Sequence, residues 1–342
     1  MGIKGIHQLL KKYNLYEEVS LYQYAYKKIA IDAPYFVCVF KLRENYIESI
    51  IDMIVILRSK HIHPVFVFDG KAPIEKAKER ERRAQKKADQ YARIERLEAD
   101  YEEYKISKIV SLALKEINEK KIKPSRLFPN STRFSDIAVE NYIKKLRSHM
   151  LKVTEEDFNI LKKILYFFKI PTIFATGEGE VLCAQLAKQG LVDAVLTKDT
   201  DVLACSTPVM LNGFGTHTFV EIRIDDILDK LNLTEKSWID LCIMCGTDFN
   251  DNIPRIGPMK AYSLILKYKN IENIPLDITI LHHERTRELF THPKYEKKIP
   301  FCGILDFNSF SKFVIEYNLF ISPDTIQKKL IQKIVFPKMK NM

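Results

Sequence analysis

Short apolar runs alternate with helical periodicity along most of this 342-residue chain. The runs lack the polar alternation of half-exposed strands, so they predict strands buried on both faces. We place these strands at Lys28–Asp32, 64–69, 171–175, Ala194–Leu196 and 209–211. Helical periodicity separates them, for example over 45–60 and 155–168. The alternation predicts the α/β class, with a mostly parallel sheet flanked by helices.

Two segments depart from this pattern. Residues 71–150 are rich in Lys, Arg, Glu, Ala and Tyr, which predicts long, charged, partly exposed helices with a loop near 124–132. After Thr234, a candidate N-cap, the pattern becomes helix, tight turn at 253–258, and helix, with two further helices within 308–333. We therefore divide the chain into two strand-bearing parts, 1–70 and 151–233, a helical insertion at 71–150, and a helical region at 234–342.

Composition narrows the class of protein and the kind of partner. The hydrophobic and charged fractions, 46% and 29%, are those of a folded globular protein. The formal net charge of +10 suits a polyanionic partner. No apolar run is long enough to span a membrane or to serve as a secretory signal. The six cysteines indicate reduced intracellular thiols, and Cys242 and Cys245 share a helical face with Trp238, which favours core packing over zinc binding.

Acidic residues recur where the predicted strands and helices end or begin. They are Asp32, Asp69, Glu178, Glu180, Asp199, Asp201 and Asp248. Sites in parallel sheets form beyond the carboxyl ends of the strands, so several of these acids should converge. Two charges about 4 Å apart repel by roughly 4 kcal/mol at an effective dielectric of about 20, so the cluster requires cations or protons. A single Asp after a strand is more often a cap. Recurrence at four ends favours Mg²⁺ or Mn²⁺, and a metal-dependent phosphodiesterase.

Two basic features could contact phosphates. Lys76, Arg80, Arg83 and Lys87 recur at i, i+4, i+7 and i+11 of a predicted helix, where they could hold a scissile phosphate. The alternative is a solvated helix with internal pairs to Glu75 and Glu79. The turn at 253–260 could bind a phosphate through backbone N–H groups at the start of a helix, or it could be an ordinary helix–helix turn.

Together these motifs resemble the flap endonuclease family, the structure-specific 5′-nucleases that include xeroderma pigmentosum G-type enzymes. The similarity covers nearly the whole chain. The matching segments, in order, are MGIKGI (1–6), IAIDA (29–33), VFDGKAP (67–73), GEGE (177–180), GLVDA (190–194), KDTD (198–201), LCI (241–243), GTDF (246–249) and IGP (256–258).

The resemblance implies a fold and a role for each matched residue. The fold would be a PIN-like sheet domain with an enlarged helical arch at 71–150 and a helix-hairpin-helix region at 234–342. One metal ion would lie among Asp32, Asp69, Glu178 and Glu180, and a second among Asp199, Asp201 and Asp248. Lys76, Arg83 and Asp199 would be catalytic. The implied DNA-binding residues are Gly2, Lys76, Arg80, Arg83, Lys87, Arg255, Ile256, Gly257 and Lys260, with a K⁺ ion at the hairpin.

The implied activity is Mg²⁺-dependent cleavage of DNA at 5′ flaps and single-strand/double-strand junctions, in replication, repair or recombination. Alternatives are a 5′→3′ exonuclease or Holliday-junction resolvase of the same superfamily, a catalytically inactive DNA-binding scaffold, and an RNA-directed 5′ exonuclease. We expect a monomeric, intracellular protein without a sliding-clamp-binding tail. It would act in the nucleus or cytoplasm, or at a viral replication site if the source is a large DNA virus.

Three residues depart from the family pattern. Cys38 stands where flap endonucleases usually place a base-stacking Tyr, although Tyr35, Phe36 and Phe40 are nearby in sequence. Arg255 replaces the first Gly of the hairpin, and Gly179 replaces an Ala.

Overall fold

A mixed sheet organises the computed structural model, which describes residues 2–43, 45–121, 134–148, 150, 152–291 and 293–331. Within these residues the strands are β1 (Glu17–Ser20), β2 (Lys28–Asp32), β3 (His63–Phe68), β4 (Thr172–Phe174), β5 (Ala194–Leu196), β6 (Val209–Phe214) and β7 (Thr218–Arg223). Their order is β1-β7-β6-β5-β2-β3-β4, and β2 to β6 run parallel. The predicted mostly parallel sheet is confirmed.

The α-helices of the described residues surround this sheet or form a separate helical segment. In chain order they are α1 (Ile6–Lys12), α2 (Ala33–Lys41), α3 (Tyr46–Ser59), α4 (Ala77–Ser107), α5 (Leu112–Lys121), α6 (Asp136–Ser148), α7 (Glu155–Phe167), α8 (Gly179–Lys188), α9 (Asp201–Ala204), α10 (Ile224–Leu231), α11 (Glu235–Cys245), α12 (Pro258–Tyr268), α13 (His283–Leu289), α14 (Phe307–Glu316) and α15 (Pro323–Ile331). None of these helices has the length and hydropathy needed to cross a membrane.

The five predicted strands form within a few residues of the expected positions, because continuous apolar runs are stable only when both faces are covered. β2 lies in the middle of the sheet, with Ile31 opposite Phe66 on one side and Leu196 on the other. This register brings the carboxyl ends of β2, β3 and β5 to one edge. β1 and β7 were not predicted, because both are antiparallel and β7 mixes polar with apolar residues and half-buried with buried positions instead of forming a continuous apolar run.

The described residues form two compact units, one within Met1–Lys76 and Thr154–Met342 and the other within Ala77–Val153. The first contains the sheet and its main hydrophobic core. Trp238 on α11 is fully buried there, and its indole N–H donates to the Leu203 carbonyl at 2.7 Å. Cys242 and Cys245 on the same helix are buried free thiols, as the apolar-face interpretation predicted.

The second unit is a bundle of charged helices built on the 31-residue α4. Its small core contains Leu97, Leu114, Val139 and their apolar neighbours. The predicted long charged helices are confirmed, and the loop predicted at 124–132 lies outside the described residues.

The helices of the predicted C-terminal region form as expected. Thr234 is the N-cap of α11, since its hydroxyl accepts a hydrogen bond from the Ser237 N–H at 3.2 Å. Pro258 opens α12 at the first helical position, where its missing N–H has no cost. The helices α14 and α15 supply the two elements predicted within 308–333.

Candidate active site

Three of the predicted acids follow neighbouring parallel strands. Asp32 is the last residue of β2 and the N-cap of α2, so its carboxylate accepts from the Tyr35 N–H at 3.2 Å and from the Thr197 hydroxyl at 2.9 Å. Asp69 follows β3, and Asp199 follows β5. Asp32 therefore also caps a helix, as the alternative interpretation of a single Asp after a strand predicted. Its second oxygen is held toward the next strand by Thr197, which places the carboxylate at the shared sheet edge.

The other four acids come from helix ends. Glu178 is the N-cap of α8 and Glu180 lies in its first turn. Asp201 begins α9, and Asp248 follows α11 in a loop tied down by Asn250, whose amide donates to the Ile243 carbonyl at 2.9 Å. Every one of the seven except Asp69 is buried. Burial of so many carboxylates is costly unless charge or hydrogen bonds compensate it.

The tightest group consists of Glu180, Asp199 and Asp201. One carboxylate oxygen from each lies within 4.8 Å of the other two. Glu180 Oε1 and both oxygens of Asp201 are buried without a hydrogen-bond partner among the described residues. Three carboxylates that converge at this spacing, with buried oxygens that accept no hydrogen bond, are what a divalent cation requires, so these residues fit a metal ion. The resemblance assigned Glu180 to one metal ion and Asp199 and Asp201 to a second, whereas the structure groups all three residues.

The protonation of these carboxylates reflects their burial. Burial raises the pKa of Asp32 to about 7, opposed by the hydrogen bonds from Thr197 and Tyr35. Burial, and then the charges of Asp199 and Asp201, raise the pKa of Glu180. Burial likewise raises the pKa of Asp201, with the charges of Asp199 and Asp248 acting in the same direction. Without cations, the cluster thus tends to retain protons.

Lys76 supplies a positive charge to one side of the cluster. Its ammonium donates to Glu178 Oε2 and lies 3.8 Å from Glu180 and 3.6 Å from Asp248. Although burial opposes the charged form, Glu180 and Glu178 raise the pKa of Lys76. Lys76 ends a 3₁₀ turn, and α4 begins only at Ala77. The prediction that Lys76 lies on the same α-helix as Arg80, Arg83 and Lys87 is therefore wrong. Lys76 is the last residue of the 3₁₀ turn that leads directly into that helix.

This chain matches family profiles and known proteins over the segments that carry the acidic cluster. A profile of the XPG N-terminal domain matches residues 1–90, and a profile of the XPG I-region matches residues 169–248. The probable RAD2-like endonuclease 076L of Invertebrate iridescent virus 3 is 32% identical over 94% of this chain and 93% of its own length. The chain belongs to the flap endonuclease/XPG family. The resemblance inferred from the motifs is confirmed.

Other members of the flap endonuclease/XPG family match over most of the chain. Flap endonuclease 1 of Naegleria gruberi is 29% identical over 86% of this chain and 74% of its own length. Among solved structures, the catalytic core of Rad2 in complex with DNA substrate has a TM-score of 0.66 at 18% identity, covering 96% of this chain and 99% of that one. That likeness shows the α/β fold of this family of nucleases.

Two glycines of this family member contact the acids through their backbones, which the sequence did not reveal. The Gly179 N–H donates to Asp69 Oδ1 at 2.7 Å. Gly2 has a φ of +85°, and a Cβ there would lie 2.3 Å from Asp199 Oδ1. The next residue, Ile3, donates its N–H to the Thr200 hydroxyl at 2.9 Å. Gly2 and Ile3 therefore pack against the turn that carries Asp199 and Asp201. Gly2, predicted to bind DNA, lies directly beside an acid.

The other basic residues of the predicted stripe belong to the helical unit. Arg80 and Lys87 are exposed on α4. Arg83 Nε donates to Glu79 at 2.8 Å, and Glu79 also accepts from Arg82. This is the internal pairing considered as an alternative for the basic stripe, and the catalytic role of Arg83 stays a prediction.

The predicted hairpin forms between α11 and α12. The Ile256 N–H donates to the Ile253 carbonyl at 3.0 Å, which closes a tight turn. Arg255 lies in that turn with a φ of +64°, in the left-handed region that favours glycine. The Asn252 amide donates to the carbonyls of Ile253 and Ile256 at 3.2 and 3.1 Å. Arg255, Gly257 and Lys260 are exposed, and the predicted roles of this turn in binding DNA and K⁺ stay predictions.

Proposed function

We propose that this chain is a Mg²⁺-dependent, structure-specific nuclease that hydrolyses DNA at 5′ flaps and other single-strand/double-strand junctions. The observation that carries the proposal is the convergence of Glu180, Asp199 and Asp201, whose oxygens lie within 4.8 Å of one another. Membership of the flap endonuclease/XPG family supports the same activity.

The donor chemistry favours magnesium. All three residues of the tight group offer carboxylate oxygens, which are the ligands that hard divalent cations prefer. Two such ions would supply Lewis-acid chemistry, stabilising the attacking and leaving oxygens of a phosphodiester displacement. The net charge of +10 suits a DNA substrate.

The protein's own residues position this chemistry. Thr197 holds one oxygen of Asp32 by its hydroxyl, and the Asp201 N–H holds Asp199 Oδ1 at 3.2 Å, so neither carboxylate rotates freely. Lys76 places an ammonium among three of the acids. A cation at this point can also attract the negatively charged backbone of the substrate and stabilise charge that develops on the phosphate.

A panel of DNA substrates tests the proposal. The purified protein is incubated with 5′-flap, nicked, blunt, single-stranded and four-way DNA, in Mg²⁺ and in EDTA. We expect cleavage near the base of the flap in Mg²⁺ and none in EDTA, with products that carry a 5′-phosphate and a 3′-hydroxyl. The Asp199→Ala variant should lose cleavage by about 10²-fold or more, the scale of a single catalytic contact, and still bind the junction. Asp324→Ala, which changes an exposed acid on α15, is the matched control.

The panel also separates the alternatives. Full cleavage by Asp199→Ala, with contaminating nucleases excluded, refutes the proposal. Preference for four-way DNA identifies a Holliday-junction resolvase, and stepwise shortening from 5′ ends identifies an exonuclease. Preference for an RNA 5′ strand identifies an RNA-directed enzyme. Binding without Mg²⁺-dependent cleavage of any substrate identifies a catalytically inactive scaffold.

A further inference from the structure

The segment directly before α1, residues 3–5, contacts the turn that carries two of the acids. Ile3 is buried in the main hydrophobic core, and its N–H donates to the Thr200 hydroxyl at 2.9 Å. Thr200 is fully buried and stands between Asp199 and Asp201 in the chain. A hydrogen bond to the middle residue of this turn restricts the backbone from which both carboxylates project.

The next residue contacts the loop that carries Asp248. The Lys4 N–H donates to the Gly246 carbonyl at 2.9 Å, and the Lys4 ammonium donates to Asp251 Oδ1 at 3.1 Å. Gly246 and Asp251 lie on either side of Asp248 in the chain. Gly246 has a φ of +87°, and a Cβ there would lie 3.1 Å from Lys4 Cδ, so glycine permits this close approach. Lys4 therefore holds the loop on both sides of its acid.

The segment is itself fixed at both ends. At one end the Ile3 side chain is buried, and at the other Ile6, the first residue of α1, is fully buried. Between them Gly5 caps α1, and a Cβ on Gly5 would lie 2.8 Å from Pro258 Cγ, at the first position of α12. Residues 3–5 therefore cannot shift without disturbing the core or the start of α12.

The turn and the loop carry like charges that need such a constraint. Burial raises the pKa of Asp199, and the charge of Asp248 adds to this shift while the Asp201 N–H opposes it. Asp248 therefore lies within electrostatic range of the turn. Because like charges repel, the turn and the loop tend to separate when no cation lies between them. The hydrogen bonds from Ile3 and Lys4 oppose this separation.

We propose that residues 3–5 form a brace that holds the turn of Asp199 and the loop of Asp248 at the spacing that a metal ion requires. Thr200 and Lys4 are the positioning residues of this brace, because they act through the acids. The inference rests on the proposed function, since it takes these acids as metal ligands. Residues that orient metal ligands commonly affect metal affinity nearly as much as catalysis itself.

Packing beneath the loops is the competing explanation. Trp238 on α11 donates its indole N–H to the Leu203 carbonyl of α9 at 2.7 Å, which joins the two helices that adjoin the loop and the turn. If this contact alone sets the spacing, changes in Thr200 or Lys4 leave the metal affinity unaltered.

Mg²⁺ affinity in the absence of DNA, measured by isothermal calorimetry, tests the turn side of the brace. Thr200→Val keeps the size of the side chain and removes the hydroxyl that accepts from Ile3, so the affinity should fall by roughly 10- to 100-fold. Thr200→Ser keeps the hydroxyl and should restore the wild-type affinity. Thr172→Val makes the same change at an exposed position of β4 and should bind normally.

Lys4 variants test the loop side. The ion pair with Asp251 is partly exposed, so Lys4→Met should lower the Mg²⁺ affinity by only about 2- to 5-fold. Lys4→Arg keeps the charge and should restore the affinity, and Lys11→Met on the exposed surface of α1 is the matched control. The effects of Lys4→Met and Thr200→Val should not add, because a brace released at one loop no longer holds the other.

Amide hydrogen exchange in EDTA gives a readout that needs neither metal nor DNA. Thr200→Val should accelerate exchange of the Lys4 N–H, and also of the Thr247 N–H, which donates to the Asn250 carbonyl at 3.2 Å within the Asp248 loop. The expected acceleration is about 2- to 10-fold, the scale of one lost hydrogen bond. The exposed control variant at β4 should change neither rate.

Cleavage kinetics separate positioning from a general loss of structure. With a 5′-flap substrate, the kcat of Thr200→Val should fall at limiting Mg²⁺ and return toward the wild-type value at saturating Mg²⁺, while KM for the DNA stays unchanged. A loss of kcat that persists at saturating Mg²⁺ would overturn the inference, as would an affinity that Thr200→Ser fails to restore.

The metal-free readout keeps this inference distinct from the proposed function. A wild-type protein that binds no Mg²⁺ and cleaves no DNA contradicts the proposed function, whereas unchanged exchange at Thr247 in Thr200→Val contradicts the brace. If Thr200→Val does not fold, Lys4→Met provides the same comparison of affinity and exchange, because its side chain is partly exposed and its loss leaves the core intact.

Discussion

The Lys76 ammonium lies 3.6 Å from the Asp248 carboxylate, so a residue at the end of the N-terminal segment meets an acid that follows α11. The same ammonium contacts Glu178 and Glu180. It therefore balances part of the negative charge of the cluster when cations are absent.

Replacing Lys76 by Met, which keeps the length of the side chain, should destabilise the metal-free protein. Removing one partner of a buried ion pair typically costs about 3–5 kcal/mol, because the remaining charge is left uncompensated. Mg²⁺ should reduce this loss, since it supplies positive charge to the same acids. Urea unfolding in EDTA and in Mg²⁺ measures both values. Lys86→Met on the exposed surface of α4 is the control, and an equal loss in the two buffers would contradict the prediction.

The buried Asp32 should make the metal-free protein less stable as the pH rises. Folded Asp32 keeps its proton up to about pH 7, whereas the unfolded chain releases it near 3.8. Between these values the folded state binds more protons, so the free energy of unfolding falls with increasing pH, on the order of 4 kcal/mol in total. At pH 8, Mg²⁺ at a concentration of 100 times its Kd should raise the free energy of unfolding by about 2.7 kcal/mol.

The comparison with Asp32→Asn isolates this effect. His63 acts in the opposite direction, because burial lowers its pKa to about 4, and the stability from this neutral histidine is lost as the pH falls from 6.5. The difference in unfolding free energy between wild type and Asp32→Asn cancels that contribution. It should fall from pH 4 to pH 7 in EDTA, and a difference that stays constant or rises would show the assignment to be wrong.

Gly179→Ala should weaken metal binding without disrupting the fold. An added Cβ would lie 2.7 Å from Asp69 Oδ1, the oxygen that now accepts the Gly179 N–H, so the carboxylate must turn away. Because Asp69 is exposed and its carboxylate can rotate, and because the family usually carries Ala at this position, we expect the Mg²⁺ affinity to fall by less than about 10-fold. Isothermal calorimetry measures it. Gly177→Ala, where a Cβ would contact nothing within 4 Å, is the matched control and should bind normally.

Arg255→Gly should stabilise the hairpin and weaken duplex binding. A non-glycine residue in the left-handed region costs roughly 1–2 kcal/mol. Glycine removes this cost but loses more backbone entropy on folding, so the free energy of unfolding should rise by only about 0.5 kcal/mol. Arg255→Ala removes the same charge and keeps the strain. Both variants should reduce the salt slope of duplex binding by about 1, and only glycine should raise Tm. Equal thermal stability of the two variants would contradict the strain argument.

Most of the scaffold followed from local sequence alone. The apolar runs of β2, β3 and β5 can be buried only in a covered parallel sheet, and the acids that follow them must then share an edge. Local signals also located Thr234 as a helix cap and Pro258 as a helix start. These features depend on neighbouring residues and on backbone chemistry, which the sequence displays directly.

Tertiary structure alone decided how the site is assembled. It grouped Glu180 with Asp199 and Asp201, brought Lys76 to Asp248, and laid Gly2 against the turn at Asp199. It also placed Asn212 in a bulge, because β6 is one residue longer than its pairing with β7 can accommodate. Each of these contacts depends on how distant segments pack and in which register strands pair, and such distances between side chains have no signature in the linear order of residues.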